Sequence, residues 1–192
     1  MQRKKKTRKE KVAEHQERLN RKKPIDKKRT VLTILFFVGI ILTIFEISIF
    51  RRTIINEIIP VSIWLITGIG FTFLNSEVLR NHFDAESKFW QLFYNVLTFG
   101  GIILFGIMYL NYQSPNVNLD THKFEIIDKS SMGRATRRRP IARIDYFGLK
   151  QEIIFGYKDT KDFKNADSLI LKIKKGNLGF DVIVEKQLIR QK

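Results

Sequence analysis

The feature that most constrains the fold is a run without charge, TVLTILFFVGIILTIF, at residues 30–45. After Glu46 the apolar character resumes as ISIF and stops at Arg51 and Arg52, so the stretch 30–50 is 21 residues long. A helix of that length rises about 30 Å, the thickness of a hydrocarbon core. A helix apolar on every side must be surrounded by apolar matter. A chain of 192 residues has too little other structure to wrap it, so a membrane span is expected. The span reads as a retained anchor. It exceeds the apolar region of about 7–15 residues found in signal peptides, and charged residues follow it in place of a small-residue cleavage pattern.

Two further apolar segments follow, IIPVSIWLITGIGFTFL at 58–74 and FWQLFYNVLTFGGIILFGIMYL at 89–110. Pro60 falls in the first turn, where its missing N–H costs nothing. Trp90 and Tyr94 at one end of the third segment, with Tyr109 and Tyr112 at the other, match the aromatic belts of two membrane interfaces. Gln91 and Asn95 are four residues apart and share a helix face. That face is expected to look at another helix, where the amides find partners. Gly39, Gly68, Gly70, Gly100, Gly101 and Gly106 recur along the segments. In lipid, close backbone approach supplies much of the packing between helices.

Charge sets the expected orientation. The formal net charge is +16 and the pI about 10.1, values that in a soluble chain point to nucleic acid. The charge is unevenly spread. Residues 1–29 hold 14 Lys and Arg against 4 acidic residues, 30–110 hold 4 against 5, and 111–192 hold 17 against 10. Basic residues flanking short loops favour the cytoplasm, whereas segments beyond about 60 residues cross largely regardless of charge. The basic tail and the second loop (75–88) therefore belong inside, and three crossings place 111–192 outside. The expected location is the plasma (inner) membrane of a bacterial-type cell, multi-pass, with a cytoplasmic N-terminus and an extracytoplasmic C-terminal domain. Nucleic acid is then disfavoured as a partner. The expected partners are a bilayer with anionic headgroups and another membrane protein or a second copy of the chain.

Beyond residue 122 the period changes. KFEIID, PIARIDY, QEIIFGY, SLILKI and FDVIV alternate apolar and polar residues between turn signals. Alternation implies one wet and one buried face. Ala142, Ile144 and Tyr146 are expected on one face, as are Gln151, Ile153, Phe155 and Tyr157. Leu169, Leu171 and Ile173 form a third such set, and Phe180, Val182 and Val184 a fourth. The predicted fold class is an α-helical membrane protein with three transmembrane helices (30–50, 58–74, 89–110). It carries a small C-terminal all-β domain of about five antiparallel strands, a curled sheet or partly open barrel. A basic tail (1–29) would precede the spans, and a tether (111–122) would join them to a β-domain at 123–192.

Candidate functional residues fall into two groups. Arg134, Arg137, Arg138, Arg139 and Arg143 crowd the entry to the second strand. A charged loop of this kind keeps a sheet edge soluble. Equally, the planar guanidinium fork suits phosphate and carboxylate, so these arginines are candidates for anion or lipid-headgroup contact. Lys27, Lys28 and Arg29 abut the first span and join them, since juxtamembrane basic runs are drawn to anionic lipid. The second group is polar and intramembrane: Glu46, Glu57, Gln91 and Asn95. Ionisable groups in a span are functional candidates. Glu46 is expected to reach Arg51 or Arg52, with Glu57 in the same cluster.

Little points to catalysis. The chain has no cysteine, which removes thiolate nucleophiles, disulfides and Cys-type zinc sites. His15, His82 and His122 are its three histidines, and none shows metal-ligand spacing. Neither a nucleophile elbow nor a phosphate-binding Gly-Lys-Ser/Thr run occurs, and no catalytic, cofactor or metal site is expected. The reading that results is an integral membrane protein acting as a non-enzymatic binding or assembly subunit. One alternative is a membrane-tethered binder of anionic polymer or headgroups with its β-domain in the cytoplasm. A weaker one is a transporter component using Glu46 and Glu57.

Overall fold

A computed structural model describes residues 27–83, 87–115, 118–133 and 138–190. Three long helices come first, α1 (Lys27–Phe50), α2 (Ile58–Phe83) and α3 (Lys88–Tyr112). All three are long and apolar enough to cross a membrane. The apolar stretch expected to span at 58–74 lies within a 26-residue helix. Its continuation, NSEVLRNHF, contains no Gly or Pro to stop it.

In the bundle α3 lies between α1 and α2, which touch each other little. Glycines permit this. A Cβ on Gly39 of α1 would stand 2.5 Å from the Leu97 carbonyl oxygen and 2.6 Å from the Thr98 Cα. A Cβ on Gly68 of α2 would meet the Val96 Cα at 2.7 Å. Both contacts fall on a π-helical turn, Val96–Gly100, set within α3. Thr43 and Thr72 donate their hydroxyl protons to the carbonyls of Gly39 and Gly68, at 2.9 and 2.8 Å, so neither hydroxyl is stranded at its helix contact.

Seven strands follow or interleave: β1 (Thr53–Ile54), β2 (Asp120–Glu125), β3 (Asp128–Met132), β4 (Arg139–Tyr146), β5 (Leu149–Ile154), β6 (Ala166–Lys175) and β7 (Asp181–Arg190). A short helix, α4 (Thr160–Lys164), precedes β6. The strands form two antiparallel sheets, ordered β1-β7-β6-β2 and β3-β4-β5. The chain passes between them at one corner, where the Ile126 N–H donates to Asp167 of one sheet and the Ile127 N–H to Arg143 of the other, both at 2.9 Å. The result is a curled half-barrel over one core.

That core holds Ile54, Ala142, Ile144, Ile153, Phe155, Phe163, Leu169, Leu171, Ile173 and Ile183. The alternation of β4, β5 and β6 thus delivers most of the expected faces. Five differences have local causes. SSMG falls outside the five alternating stretches, yet Ser130, Ser131 and Met132 belong to β3, a fully exposed strand with no apolar face to betray it. Ile141, on the side of β4 opposite Ala142 and Ile144, is buried as well, and α4 packs against this strand. Tyr157 leaves the sheet in a 3-10 turn and is exposed. The polar run before β6 folds into α4 and buries Phe163. In β7 the phase breaks, because Lys172 pairs with Glu185 but Ile173 with Ile183. Val184 is the extra, bulged residue. It is 52% exposed, while Val182 and Ile183, which precede it, are both buried.

Candidate functional site

The site grows from the junction of bundle and half-barrel. The loop between α1 and α2 adds a strand to the sheet. Thr53 pairs with Val182 and Ile54 with Asp181, and the Ile183 N–H donates to the Arg52 carbonyl at 2.7 Å. Ile54 enters the β core. Ile55 turns the other way, into a cluster with Leu104 and Met108 of α3 that also holds Phe50, Trp64 and Phe180. Phe180, expected to align with the β7 face, therefore packs on the helix ends instead.

The start of the expected tether is docked. Asn111 is fully buried. Its Nδ2 donates to the Phe180 carbonyl at 3.1 Å and its Oδ1 accepts from the Leu178 N–H at 3.0 Å. The Asn177 amide donates to the Leu110 carbonyl at 2.9 Å. Lys174 donates to the Ser114 carbonyl at 3.0 Å and lies 5.5 Å from the Tyr112 ring centre. The β6–β7 turn thus caps the end of α3, and β2 begins at Asp120.

Beside this junction lies a small recess of about 160 Å³, lined by Arg51, Arg52, Ile153, Ile183, Val184, Glu185 and Lys186. The bulge at Val184 shapes it. Past the bulge Lys186 pairs directly with Leu171, and directly opposed residues share a face. Leu171 is fully buried in the core, so Lys186 lies on the core-facing side of β7, at the open mouth of the half-barrel where it remains exposed. Its ammonium donates to the Ile154 carbonyl and stands 5.3 Å from the Phe155 ring centre. Desolvation first, then the charges of Arg139 and Arg52, push its pKa down, with Asp159 opposing. Glu185, the one carboxylate in the recess lining, already pairs with Lys172 at 2.7 Å. Arg139 spreads over the Tyr157 ring at 5.7 Å, and its buried Nε has no hydrogen-bond acceptor among the described residues.

A larger groove of about 690 Å³ adjoins, also lined by Arg51. One wall is Ile47, Phe50 and Ile58, from the ends of α1 and α2; the other is Met132 and the length of β5.

The predicted residues are distributed as follows. Arg134, Arg137 and residues 1–26 of the basic tail lie outside the described residues. Lys27, Lys28 and Arg29 form the first turn of α1, exposed, at the end of that helix away from the β-domain. Arg138 is exposed and Arg139 half-buried. Arg143 is held by carboxylates of both neighbouring strands, Asp128 at 3.1 Å and Glu152 at 2.8 Å. These bonds raise its pKa, the Glu152 hydrogen bond foremost. Cross-strand pairing has thus engaged one arginine of the expected patch.

Glu46 is buried, and among the described residues it forms no ion pair with Arg51 or Arg52. Arg52 instead donates to the Tyr112 hydroxyl at 3.2 Å, because both arginines have left the helix by then. Glu57 is exposed and lines the groove. Gln91 and Asn95 are buried; the Asn95 amide donates to the Gln91 carbonyl at 2.8 Å and reaches Thr72 of α2 at 3.4 Å.

Lys186 was not singled out in the sequence, since a lone lysine after an apolar strand carries no signal of a site until the strand's neighbours are known. Among the described residues no group of three or more metal-capable side chains gathers. Compared with known protein families, curated proteins and solved structures, the chain finds no match.

Proposed function

We propose that the protein is a plasma-membrane component that works by binding or assembly rather than catalysis, carrying its β-domain as a fixed cap on the extracytoplasmic side. The observation that carries this reading is the pairing of β1 with β7. A domain meant to sample space freely needs one flexible connection. This one is attached through the α1–α2 loop and the end of α3 together, which holds its surface at a set height and orientation over the bundle. Such a cap suits a partner that is itself anchored, another membrane protein or a second copy. The distribution of basic residues supports the orientation.

Fusions at residue 192 test the geography. Alkaline phosphatase is expected to be active there, and a fluorescent protein that folds only in the cytoplasm is expected to stay dark. The reverse pattern overturns the reading in favour of a cytoplasmic binder of anionic polymer. Crosslinking in intact membranes tests the assembly role: a discrete species larger than the monomer is expected, and monomer alone overturns it.

A further inference from the structure

The recess beside β7 gathers three cations, and its one carboxylate, Glu185, is engaged by Lys172 from the neighbouring strand. Arg51 and Arg52 follow Phe50, the last residue of α1, and so stand where a span gives way to headgroups. Lys186 is turned toward them by the Val184 bulge. Arg139 stands close enough to act electrostatically on Lys186. Bringing like charges together around a partly desolvated ammonium costs free energy unless an anion joins them. Bulges commonly re-aim a side chain beside a binding site, and here the re-aimed side chain is a cation.

The adjoining groove identifies the source of that anion. Arg51 lines both cavities. From it the groove runs along Ile47, Phe50 and Ile58, apolar residues at the ends of two membrane-length helices. A free phosphate would use the recess and leave this apolar wall bare, whereas a lipid would use both. We infer that Arg51, Arg52 and Lys186 bind the phosphate of an anionic phospholipid, with its glycerol and upper acyl chain lying in the groove. The site sits at the β-domain end of the bundle and serves whichever leaflet meets that end, so it stands independently of the orientation proposed above. Arginine supplies planar two-point contact to phosphate oxygens and lysine a point charge.

The test uses the delipidated full chain in detergent, titrated with phosphatidylglycerol and followed by native mass spectrometry. Saturable binding is expected, stronger than for phosphatidylcholine. Arg51→Gln and Lys186→Gln should each weaken it by about tenfold, the loss expected for one charge-assisted contact. Lys123→Gln, on the exposed far strand β2, should leave it unchanged. Lys186→Met, which keeps an apolar stem over Phe155, guards against a folding defect, and it too should weaken binding while the thermal unfolding midpoint holds or rises slightly. Equal binding by the wild type and both site variants overturns the inference. Full competition by millimolar glycerol 3-phosphate or inorganic phosphate overturns the lipid assignment and points to a soluble phosphate.

Discussion

Lys186 stands directly across from Leu171, on the inner face of a sheet whose other inward neighbours are apolar. A strand that kept its phase from Ile183 onward would have turned Lys186 to the outer face. The bulged Val184 instead sets it over the open mouth of the half-barrel, where its side chain stays exposed, and the same shift returns Leu188 to the core, opposite Leu169.

An inward cation weakens the fold that carries it. Lys186→Met is expected to raise the unfolding midpoint slightly at neutral pH, because it removes a partly desolvated charge that solvent still screens and keeps the contact with Phe155. The pH dependence has a definite sign. The folded-state pKa of Lys186 lies below its unfolded value of 10.5, so between the two the unfolded chain binds more protons and stability rises with pH. Thermal unfolding of both proteins at pH 7 and pH 10 should show their difference shrinking as pH rises. A constant difference would mean the ammonium is not perturbed.

Ile54 should matter more than its place in a two-residue strand suggests. It is 5% exposed and belongs to the β core. Ile54→Ala is expected to cost about 2–4 kcal/mol and to speed hydrogen exchange at Val182 and Ile183. Ile66→Ala, on the outer side of α2 where the residue is 69% exposed, should leave that exchange unchanged.

Asn111 ties the β6–β7 turn to α3 with both ends of its amide. Asn111→Ala leaves the Leu178 N–H without its partner, at about 1–3 kcal/mol, while the Phe180 carbonyl keeps the Gly176 N–H at 3.0 Å. Limited proteolysis should then cut within 176–180, a turn expected to resist cleavage in the parent protein.

Gly39 and Gly106 give a paired test of the bundle. Gly39→Ala drives a methyl into backbone atoms of α3 at 2.5 and 2.6 Å, so α1 must move away. It is expected to lower the detergent concentration at which the helices separate. Gly106→Ala, with nothing within 4 Å, should be neutral or slightly stabilising.

Tyr146 donates to Asp181 at 2.7 Å across the two sheets. Desolvation, and then that hydrogen bond, raise its pKa above the usual 10. Its contribution is complete below pH 10 and is lost as pH climbs through the folded value. Tyr146→Phe should cost about 1.5–3 kcal/mol, as for a bond to a charged acceptor, and should abolish that alkaline loss in a pH series of unfolding midpoints.

Some of the candidate site was legible and some was not. Arg51 and Arg52 stand out in the chain as a charged stop after an apolar run, yet that position speaks only to topology. Arg143 looks like part of one basic patch until its neighbours are known, and Asp128 and Glu152 come to it only through strand pairing. Gln91 and Asn95 share a face in the sequence, and the fold supplies Thr72 as a neighbour on α2.

The sequence alone determined what depends on short-range periodicity and on solvent: three helices of membrane length, a curled antiparallel β-domain, and its alternating core of Ile144, Ile153, Leu169 and Leu171. Burial of apolar surface repeats along the chain every two or 3.6 residues and can be read without knowing any neighbour. Tertiary structure decided the rest. That the α1–α2 loop becomes a strand, that Asn111 receives a turn from the far end of the chain, and that a bulge turns Lys186 toward Arg52 are all matters of pairing between distant segments. Backbone hydrogen bonds carry no side-chain signature, so only the assembled fold shows where they form.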